Sequence, residues 1–186
     1  KNIINTTNGA SSTNPVLGVV GLQDAFTVMG LQLDADSEPI GIDGVILEVP
    51  PSLAVTAKNL INATEIVVGA DSASQRIVTS NWMKTYVTLV VNAYIPVVAS
   101  SANGKTSWFV HAIPTQGRPA MEMGFLRGHE TPELFQALGN QMRVGGTTSP
   151  MDGSFEDDST KYKVRHVFGG VRLDGKATVG SNGSGS

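Results

Sequence analysis

The sequence predicts an α+β fold in which helices precede a run of strands. One observation is a helical spacing of apolar residues within positions 16–34. A second is a strand, two prolines and a helix in direct succession between Gly41 and Asn62. The third is a series of segments between Lys84 and Leu173 that are rich in the residues that favour strands. With 186 residues, 40% of them hydrophobic, the chain can bury a core as one domain or as one large and one small lobe.

Low charge is the main compositional signal. The formal net charge is -3 and charged residues make up 16% of the chain, whereas about 25% is typical. Long-range attraction to nucleic acid is therefore not its main means of binding. Two interpretations stay open: a neutral soluble protein, or a subunit that buries much of its surface against copies of itself.

Several classes of site and segment have no support in the sequence. The chain has no cysteine, which excludes disulfides, thiol nucleophiles and metals held by cysteine. No apolar run reaches the roughly 20 residues that span a bilayer, and the chain does not open on a signal segment. Because it begins at Lys1 rather than at Met, we expect a processed product, a fragment or part of a longer polypeptide.

The first elements are an N-terminal arm or loop over residues 1–15 and an amphipathic helix that ends near Asp34. The first segment is rich in Asn, Thr, Ser and Gly without an apolar period, so we expect it to become ordered on contact. Apolar residues at spacings of three and four predict the buried face of the helix. They are Val19, Leu22, Phe26, Met29 and Leu33.

The stretch from Gly41 to Asn62 predicts a turn at Asp43 and Gly44, a strand over Val45–Val49 and then a helix. Pro50 has no amide for a sheet ladder, and the fixed φ of Pro51 suits a first helical turn. The predicted buried stripe of this helix is Leu53, Ala57, Leu60 and Ile61.

Most of the remaining elements are predicted strands. They begin at Glu65 and continue over Lys84–Val98, Thr106–Ile113, Ala120–Leu126 and Lys161–Leu173. Thr131 and Pro132 instead predict the cap and first turn of a short helix. Residues 145–159 read as a polar, acidic loop, and residues 181–186 as a disordered tail after a folded region at 16–180.

Three histidines are candidates for chemistry, namely His111, His129 and His166. Each is isolated in its segment and none has the spacing of a metal site, so a structural role is favoured. Acyl-transfer, phosphate-binding and dinucleotide motifs do not occur. We therefore predict that the chain is not an enzyme and has no catalytic, cofactor-binding or metal-ligating residues.

Charged residues of the second half offer weaker candidates. The acidic cluster could supply oxygen ligands to a hard cation, but it lacks the spacing of a calcium loop, so solvated charge is favoured. Scattered arginines could pair with acids of a neighbouring subunit or simply be exposed. The acids are Asp152, Glu156, Asp157 and Asp158, and the arginines are Arg118, Arg127, Arg143, Arg165 and Arg172.

The order of elements between about Gly41 and Ala177 resembles the major capsid proteins of tailed bacteriophages, and more narrowly the Mu-like head subunits of the Hong Kong 97 (HK97)-type capsid family. In that subgroup a strand leads through two prolines into a helix. An aromatic strand that ends in proline follows, and then a Tyr-x-Val-Arg motif. The matching residues are Leu47, Val49, Pro50, Pro51, Leu53, Ala57, Leu60 and Asn62, then Trp108, Phe109 and Pro114, and then Tyr162, Val164, Arg165 and Gly169.

The resemblance implies an HK97-like subunit that forms pentamers and hexamers in an icosahedral shell around double-stranded DNA. It implies that residues 16–180 form the axial domain and the C-terminal strands of the peripheral domain. It also implies a place in the virion, assembly in the host cytoplasm, and scaffold, portal or decoration proteins as partners, with no membrane. The N-terminal arm, extended hairpin and spine helix of the family would lie upstream. We expect that removing residues 1–15 impairs assembly without unfolding the domain.

Two alternatives remain. One is a shell of the same fold that encloses proteins, as in encapsulin-type compartments, which absence of nucleic acid and a cargo-binding groove would indicate. The other is a small hydrolase or ligand-binding domain. A monomer with a deep pocket around one of the three histidines, near a carboxylate or hydroxyl, would favour it.

Overall fold

The computed structural model describes residues 3–42, 44–68, 77–116, 119–142, 144–147, 149 and 152–184. The chain divides into two units, each with its own internal contacts. The large unit is Lys1–Met121 together with Arg172–Ser186, and the small unit is Glu122–Val171. Helices and strands both occur, which confirms the α+β prediction.

The helices of the described residues all lie in the large unit. They are α1 Val19–Gly30, α2 Ala54–Asn62, α3 Met83–Tyr86 and α4 Ile95–Val98. The strands are β1 Val45–Val49, β2 Glu65–Val68, β3 Ile77–Ser80, β4 Val87–Val91, β5 Trp108–Ala112, β6 Met121–Phe125, β7 Glu133–Gln136, β8 Tyr162–Arg165, β9 Phe168–Arg172 and β10 Thr178–Ser181.

A four-stranded sheet in the order β10-β5-β1-β4 forms the centre of the large unit. β1 runs parallel to β4, whereas β5 is antiparallel to both β1 and β10. Burial alternates along β1 and β5, because successive side chains of a strand point to opposite faces of the sheet. The buried face packs with the apolar sides of α1 and α2 in one core, while the other face is only partly covered.

The predicted strand and helix on either side of the two prolines are confirmed. β1 ends at Val49, and a 3-10 turn at Pro51–Leu53 leads into α2. Ala57 and Ile61 are buried in α2, with Leu53 and Leu60 partly buried against the core, as the spacing predicted. Asp43 lies outside the described residues, as does the polar loop at 70–75.

The predicted helix within 16–34 is confirmed as α1 but ends earlier, at Gly30. A turn takes the place of its last residues, because the Asp34 carboxylate accepts the backbone N–H groups of Asp36 and Glu38. Leu33 then bridges to Pro39 rather than packing as the last residue of the helical face.

The predicted strand over Lys84–Val98 is wrong at both ends. Only Val87–Val91 is a strand, and helical turns flank it as α3 and α4. An asparagine side chain precedes each turn: Asn81 Oδ1 accepts the N–H of Met83, and Asn92 Oδ1 accepts the N–H of Tyr94. These local bonds outweigh the strand propensity of Tyr, Val and Ile at the same positions.

The N-terminal segment is a loop of the large unit rather than an arm that needs a neighbour for order. Ile4 is fully buried in the core and Ala10 is also buried. The Ile4 N–H donates to the carbonyl of Gly180 at 3.1 Å, and the Trp108 indole donates to the carbonyl of Pro15 at 3.0 Å.

The last predicted strand and the disordered tail also need correction. Lys161–Leu173 contains two strands, β8 and β9, separated at His166 and Val167, and they pair with different partners. A further strand, β10, includes Ser181, where the disordered tail was expected to begin. Asn182 accepts a hydrogen bond from the Thr106 hydroxyl, so the tail prediction fails at least to that residue. Residues 185 and 186 lie outside the described part of the chain.

Residues 131–136 are the remaining correction, because Glu133–Gln136 is strand β7 and not a helix. β7 pairs antiparallel with β8, which lies almost 30 positions away in the sequence. The proline signal also suits an extended residue at 131, since the residue before a proline is pushed out of the helical region.

Candidate subunit interface

The small unit is built from strand ribbons rather than around a core. β7 pairs with β8, and β6 pairs with β9, each as a sheet of two strands. Among the described residues of Glu122–Val171, Gly153 alone is buried, and no large apolar side chain is. Isolated two-stranded ribbons are marginally stable in water, so this unit needs a surface to pack against.

Many large apolar side chains of the small unit face solvent. Exposed apolar surface on this scale marks an interaction site in a folded protein. These side chains are Met123, Phe125, Leu126, Leu134, Phe135, Leu138, Met142, Val144, Phe155, Tyr162, Val164, Val167, Phe168 and Val171.

The β7–β8 ribbon separates apolar and charged side chains onto its two faces. Leu134 lies opposite Val164, and Gln136 lies opposite Tyr162, which gives one largely apolar face. On the other face Glu133 lies opposite Arg165, the next pair being Phe135 and Lys163. We call the face with Leu134, Val164 and Tyr162 the apolar ribbon face.

Charge pairing organises the opposite face. Arg165 donates from Nε and Nη2 to Oε2 of Glu133 at 3.0 and 2.7 Å, and His129 Nδ1 lies 2.6 Å from Oε1. The hydrogen bonds from Arg165, and then the one from His129, lower the pKa of Glu133 below its ordinary value. The charged ends of Lys163 and Arg165 lie 5.0 and 5.2 Å from the centre of the Phe135 ring, within cation–π range.

An aromatic cluster marks the β6–β9 ribbon. His166 stacks on Phe125 with ring centres 5.7 Å apart, and its ring centre lies 5.1 Å from that of Phe168. His166 Nε2 also lies 3.2 Å from the carbonyl of Glu130. The Gly128 N–H lowers the pKa of the Glu130 carboxyl by hydrogen bonding to it. His166 is therefore part of an apolar and aromatic surface.

Three carboxylates of the acidic loop accept hydrogen bonds from neighbouring groups of the small unit. Asp152 accepts the N–H of Ser149, Asp157 accepts from the hydroxyl and N–H of Ser159, and Asp158 accepts from Gln141. The Ser159 hydroxyl is the main cause of a lowered pKa at Asp157. No group of three His, Cys, Asp or Glu side chains converges on a possible metal position in the part of the chain that the structure describes.

The predicted arginines do not form one cluster. Arg165 pairs with Glu133 inside the small unit, whereas Arg127 is exposed there. Arg172 lies in the large unit, beside a cavity. Arg118 and Arg143 lie outside the described residues.

His111 belongs to a line of polar side chains across the partly covered face of the large unit's sheet. Its Nε2 lies 2.8 Å from Oε2 of Glu48 on β1, and its Nδ1 lies 3.1 Å from the hydroxyl of Thr178 on β10. Asn92, just after β4, donates its amide to the other Glu48 oxygen. The line therefore ties all four strands together.

A cavity of about 850 Å³ lies beside this polar line and is lined by Phe109, His111, Arg172 and Thr178 among others. A histidine beside a carboxylate and a hydroxyl in a cavity is what a hydrolase would require. Sequence reasoning missed the grouping because the three residues lie on strands far apart in the chain. Both ring nitrogens of His111 are occupied within the sheet, an arrangement that also suits a structural bridge.

One comparison with known proteins identifies the family of the chain. A family model described as phage capsid protein matches residues 1–180. The chain belongs to the phage capsid protein family. Phage capsid proteins are structural components of the virion and assemble as shells of many subunits, so this capsid protein's exposed ribbons are candidate contacts between subunits.

Membership in the phage capsid protein family confirms the broader part of the resemblance seen in the sequence. No curated protein and no solved structure matches the chain. Within the described residues of this capsid protein, every helix is too short or too polar to cross a membrane.

Proposed function

We propose that this phage capsid protein is the major head subunit of a tailed bacteriophage, of the Mu-like, HK97-type subgroup. Pentamers and hexamers of the subunit close into an icosahedral shell around double-stranded DNA. Residues 16–180 supply the axial domain and the C-terminal strands of the peripheral domain. Assembly takes place in the host cytoplasm, with scaffold, portal or decoration proteins as possible partners.

The observation that carries this proposal is the small unit, whose described residues bury no large apolar side chain. Such a unit is stabilised when neighbouring subunits cover it, as in obligate assemblies, whose interfaces bury roughly 2,000 to 5,000 Å². Rings need heterologous contacts, in which one surface of a subunit meets a different surface of the next. An apolar ribbon on one subunit and a separate docking surface on another meet this requirement.

Low charge supports the proposed content of the shell. The net charge of -3 is compatible with an inner shell surface that contacts packaged DNA without binding it tightly. Binding to DNA would accordingly be non-specific.

The first experiment is electron microscopy of the purified full-length gene product, combined with measurement of nuclease-protected nucleic acid. Closed icosahedral particles that contain DNA are expected. Particles that hold protein cargo without nucleic acid would identify an encapsulin-type compartment instead. A stable monomer of the full-length product would contradict the shell function.

A pair of substitutions tests the interface itself. Val164→Lys on the apolar ribbon face is expected to prevent closed particles while leaving the subunit folded, because Val164 is 67% exposed and adds nothing to a core. Val55→Lys is the matched control, since Val55 is 69% exposed on α2. Particle yield by microscopy and the melting curve of the subunit are the measurements. Equal particle yield from the two variants would show that the apolar ribbon face is not part of the subunit interface.

A further inference from the structure

The two outer edges of the large unit's sheet differ. The edge strand β10 is covered by the N-terminal segment, where Ile3 bridges to Gly180 and the Ile4 N–H donates to the Gly180 carbonyl. The opposite edge strand, β4, has β1 as its one strand partner in the described residues. An edge without a partner presents a row of backbone N–H and C=O groups that can pair with another strand.

The outer edge of β4 lacks the features that usually protect such edges. Charged side chains, proline and bulges are the common devices. β4 contains neither a charged residue nor proline, and its five residues pair with β1 in unbroken register. No charged residue occurs anywhere between Tyr86 and Val98.

Backbone geometry identifies the groups that face outward. Asn92, directly after β4, donates its N–H to the Val49 carbonyl on β1. Because backbone groups of alternate residues point to opposite edges of a strand, those of Thr88 and Val90 point toward β1 as well. The N–H and C=O groups of Leu89 and Val91 therefore point to the open side.

The surroundings of this edge are apolar. Val90 and Val91 are exposed on the strand, and Tyr94, Val97 and Val98 follow on the next turn with exposures of 74%, 77% and 84%. A partner therefore meets only uncharged side chains from β4 and from the turn after it. Nucleic acid fits poorly, because neither β4 nor the turn after it supplies a Lys or Arg to neutralise phosphates.

We propose that the outer edge of β4 pairs, in the shell, with an extended strand of a second copy of this chain. The inference rests on the proposed shell function and names one contact within it. The second copy is the occupant because a family of shell-forming subunits places identical chains side by side. Main-chain pairing supplies affinity, and Tyr94 and the flanking valines supply apolar contact. The contact is heterologous: the β4 edge of each subunit pairs with a strand of one neighbour, and a different strand of the same subunit pairs with the β4 edge of another neighbour.

Hydrogen exchange on the unmodified protein tests this pairing directly. The amides of Leu89 and Val91 are expected to exchange rapidly in dispersed subunits and at least about tenfold more slowly in assembled particles. The amides of Thr88 and Val90, which face β1, serve as internal controls and stay protected in both states. Particles in which the Leu89 and Val91 amides exchange as fast as in dispersed subunits would overturn the pairing and leave the shell function intact. If the full-length protein forms no particles, the shell function fails and the pairing fails with it.

Substitution at one position separates backbone pairing from side-chain contact. Val91→Pro removes an outward N–H without removing a bond to β1, a position at which edge strands tolerate proline. Val91→Ala removes most of the side chain and keeps the N–H. We expect the proline variant to raise the concentration needed for assembly at least about tenfold, and the alanine variant to assemble nearly as the unmodified protein does. Normal assembly of a folded proline variant, or equal losses in both variants, would contradict backbone pairing.

Discussion

Ile4 shows how the N-terminal segment belongs to the fold. Its side chain is 0% exposed in a core that includes α1 and the central sheet. The same segment is held at a second point by the buried carboxylate of Asp24 on α1, which accepts the N–H of Ser11 at 2.9 Å and the Ser11 hydroxyl at 2.7 Å. Residues rich in Asn, Thr and Ser therefore close one side of the core.

Shortening the buried side chain of Ile4 is expected to destabilise the subunit. Ile4→Ala should cost about 2–5 kcal/mol of unfolding free energy, because it removes buried methyl groups and leaves a cavity. The measurement is urea unfolding of the dispersed subunit. Val16→Ala is the control, since Val16 is exposed and should change the unfolding free energy little.

This expectation replaces the one drawn from composition. Removal of residues 1–15 should now lower the stability of the large unit as well as impair assembly, because a core side chain leaves with the segment. Full stability of the Ile4→Ala variant would restore the interpretation as an arm.

At the scale of elements, the β7–β8 ribbon is expected to weaken in acid. Glu133 has a lowered pKa in the folded state, caused first by Arg165 and then by His129. A group of this kind stabilises the fold above its unfolded pKa of about 4.3, and the contribution is lost as the pH falls through the lower folded value. Glu133→Gln should therefore flatten the dependence of thermal stability on pH below about 4.3, where the unmodified protein loses this contribution.

The control for this pH dependence is Glu65→Gln, at the exposed start of β2. It should keep the pH profile of the unmodified protein. A Glu133→Gln profile that overlays the unmodified one would show that the ion pair contributes nothing to the ribbon.

The polar line through His111 is expected to stabilise the central sheet. His111→Ala removes the contacts to Glu48 and Thr178 and should cost roughly 1–3 kcal/mol of unfolding free energy, at about 0.5–1.5 kcal/mol for each hydrogen bond. Chemical denaturation is the measurement, with His166→Ala in the small unit as the control. Hydrolysis of an activated ester by the unmodified chain, abolished in His111→Ala, would favour the hydrolase alternative instead.

Elements defined by adjacent residues could be predicted from the sequence. The strand Val45–Val49 and the helix after Pro51 rest on proline geometry and helical spacing, which need no distant partner. Trp108–Ala112 likewise follows from local strand propensity.

Elements decided by distant or side-chain contacts could not be predicted. β7 is a strand because β8 lies beside it, and α3 and α4 exist where asparagine side chains hold the first turn. The candidate interface was missed for a related reason. The alternation of Leu134, Val164 and their neighbours identifies apolar positions, but it does not reveal whether the same chain covers them.

At the scale of the whole molecule, association should be driven by apolar surface rather than by charge. Large apolar side chains are exposed in the small unit and along the β4 edge, and charged residues make up only 16% of the whole chain. Hydrophobic association near room temperature is mainly entropic and weakens on cooling.

Assembled particles are therefore expected to dissociate to a greater extent at about 4 °C than at about 25 °C. Light scattering of one sample cycled between the two temperatures is the measurement, and recovery on warming distinguishes dissociation from damage. Particles that tighten on cooling and loosen sharply with added salt would indicate an interface dominated by charge.

The contact between the two ends of the large unit has a consequence for synthesis on the ribosome. Ser181 donates its hydroxyl to the carbonyl of Pro15, the same oxygen that receives the Trp108 indole, and Gly180 holds Ile4. The core of the large unit is therefore expected to close only after residue 181 has left the exit tunnel. The ribbons of Glu122–Val171 emerge before that moment. The exposed apolar side chains of Glu122–Val171 are thus expected to leave the ribosome before the large unit has folded, which favours early association between neighbouring chains on one polysome.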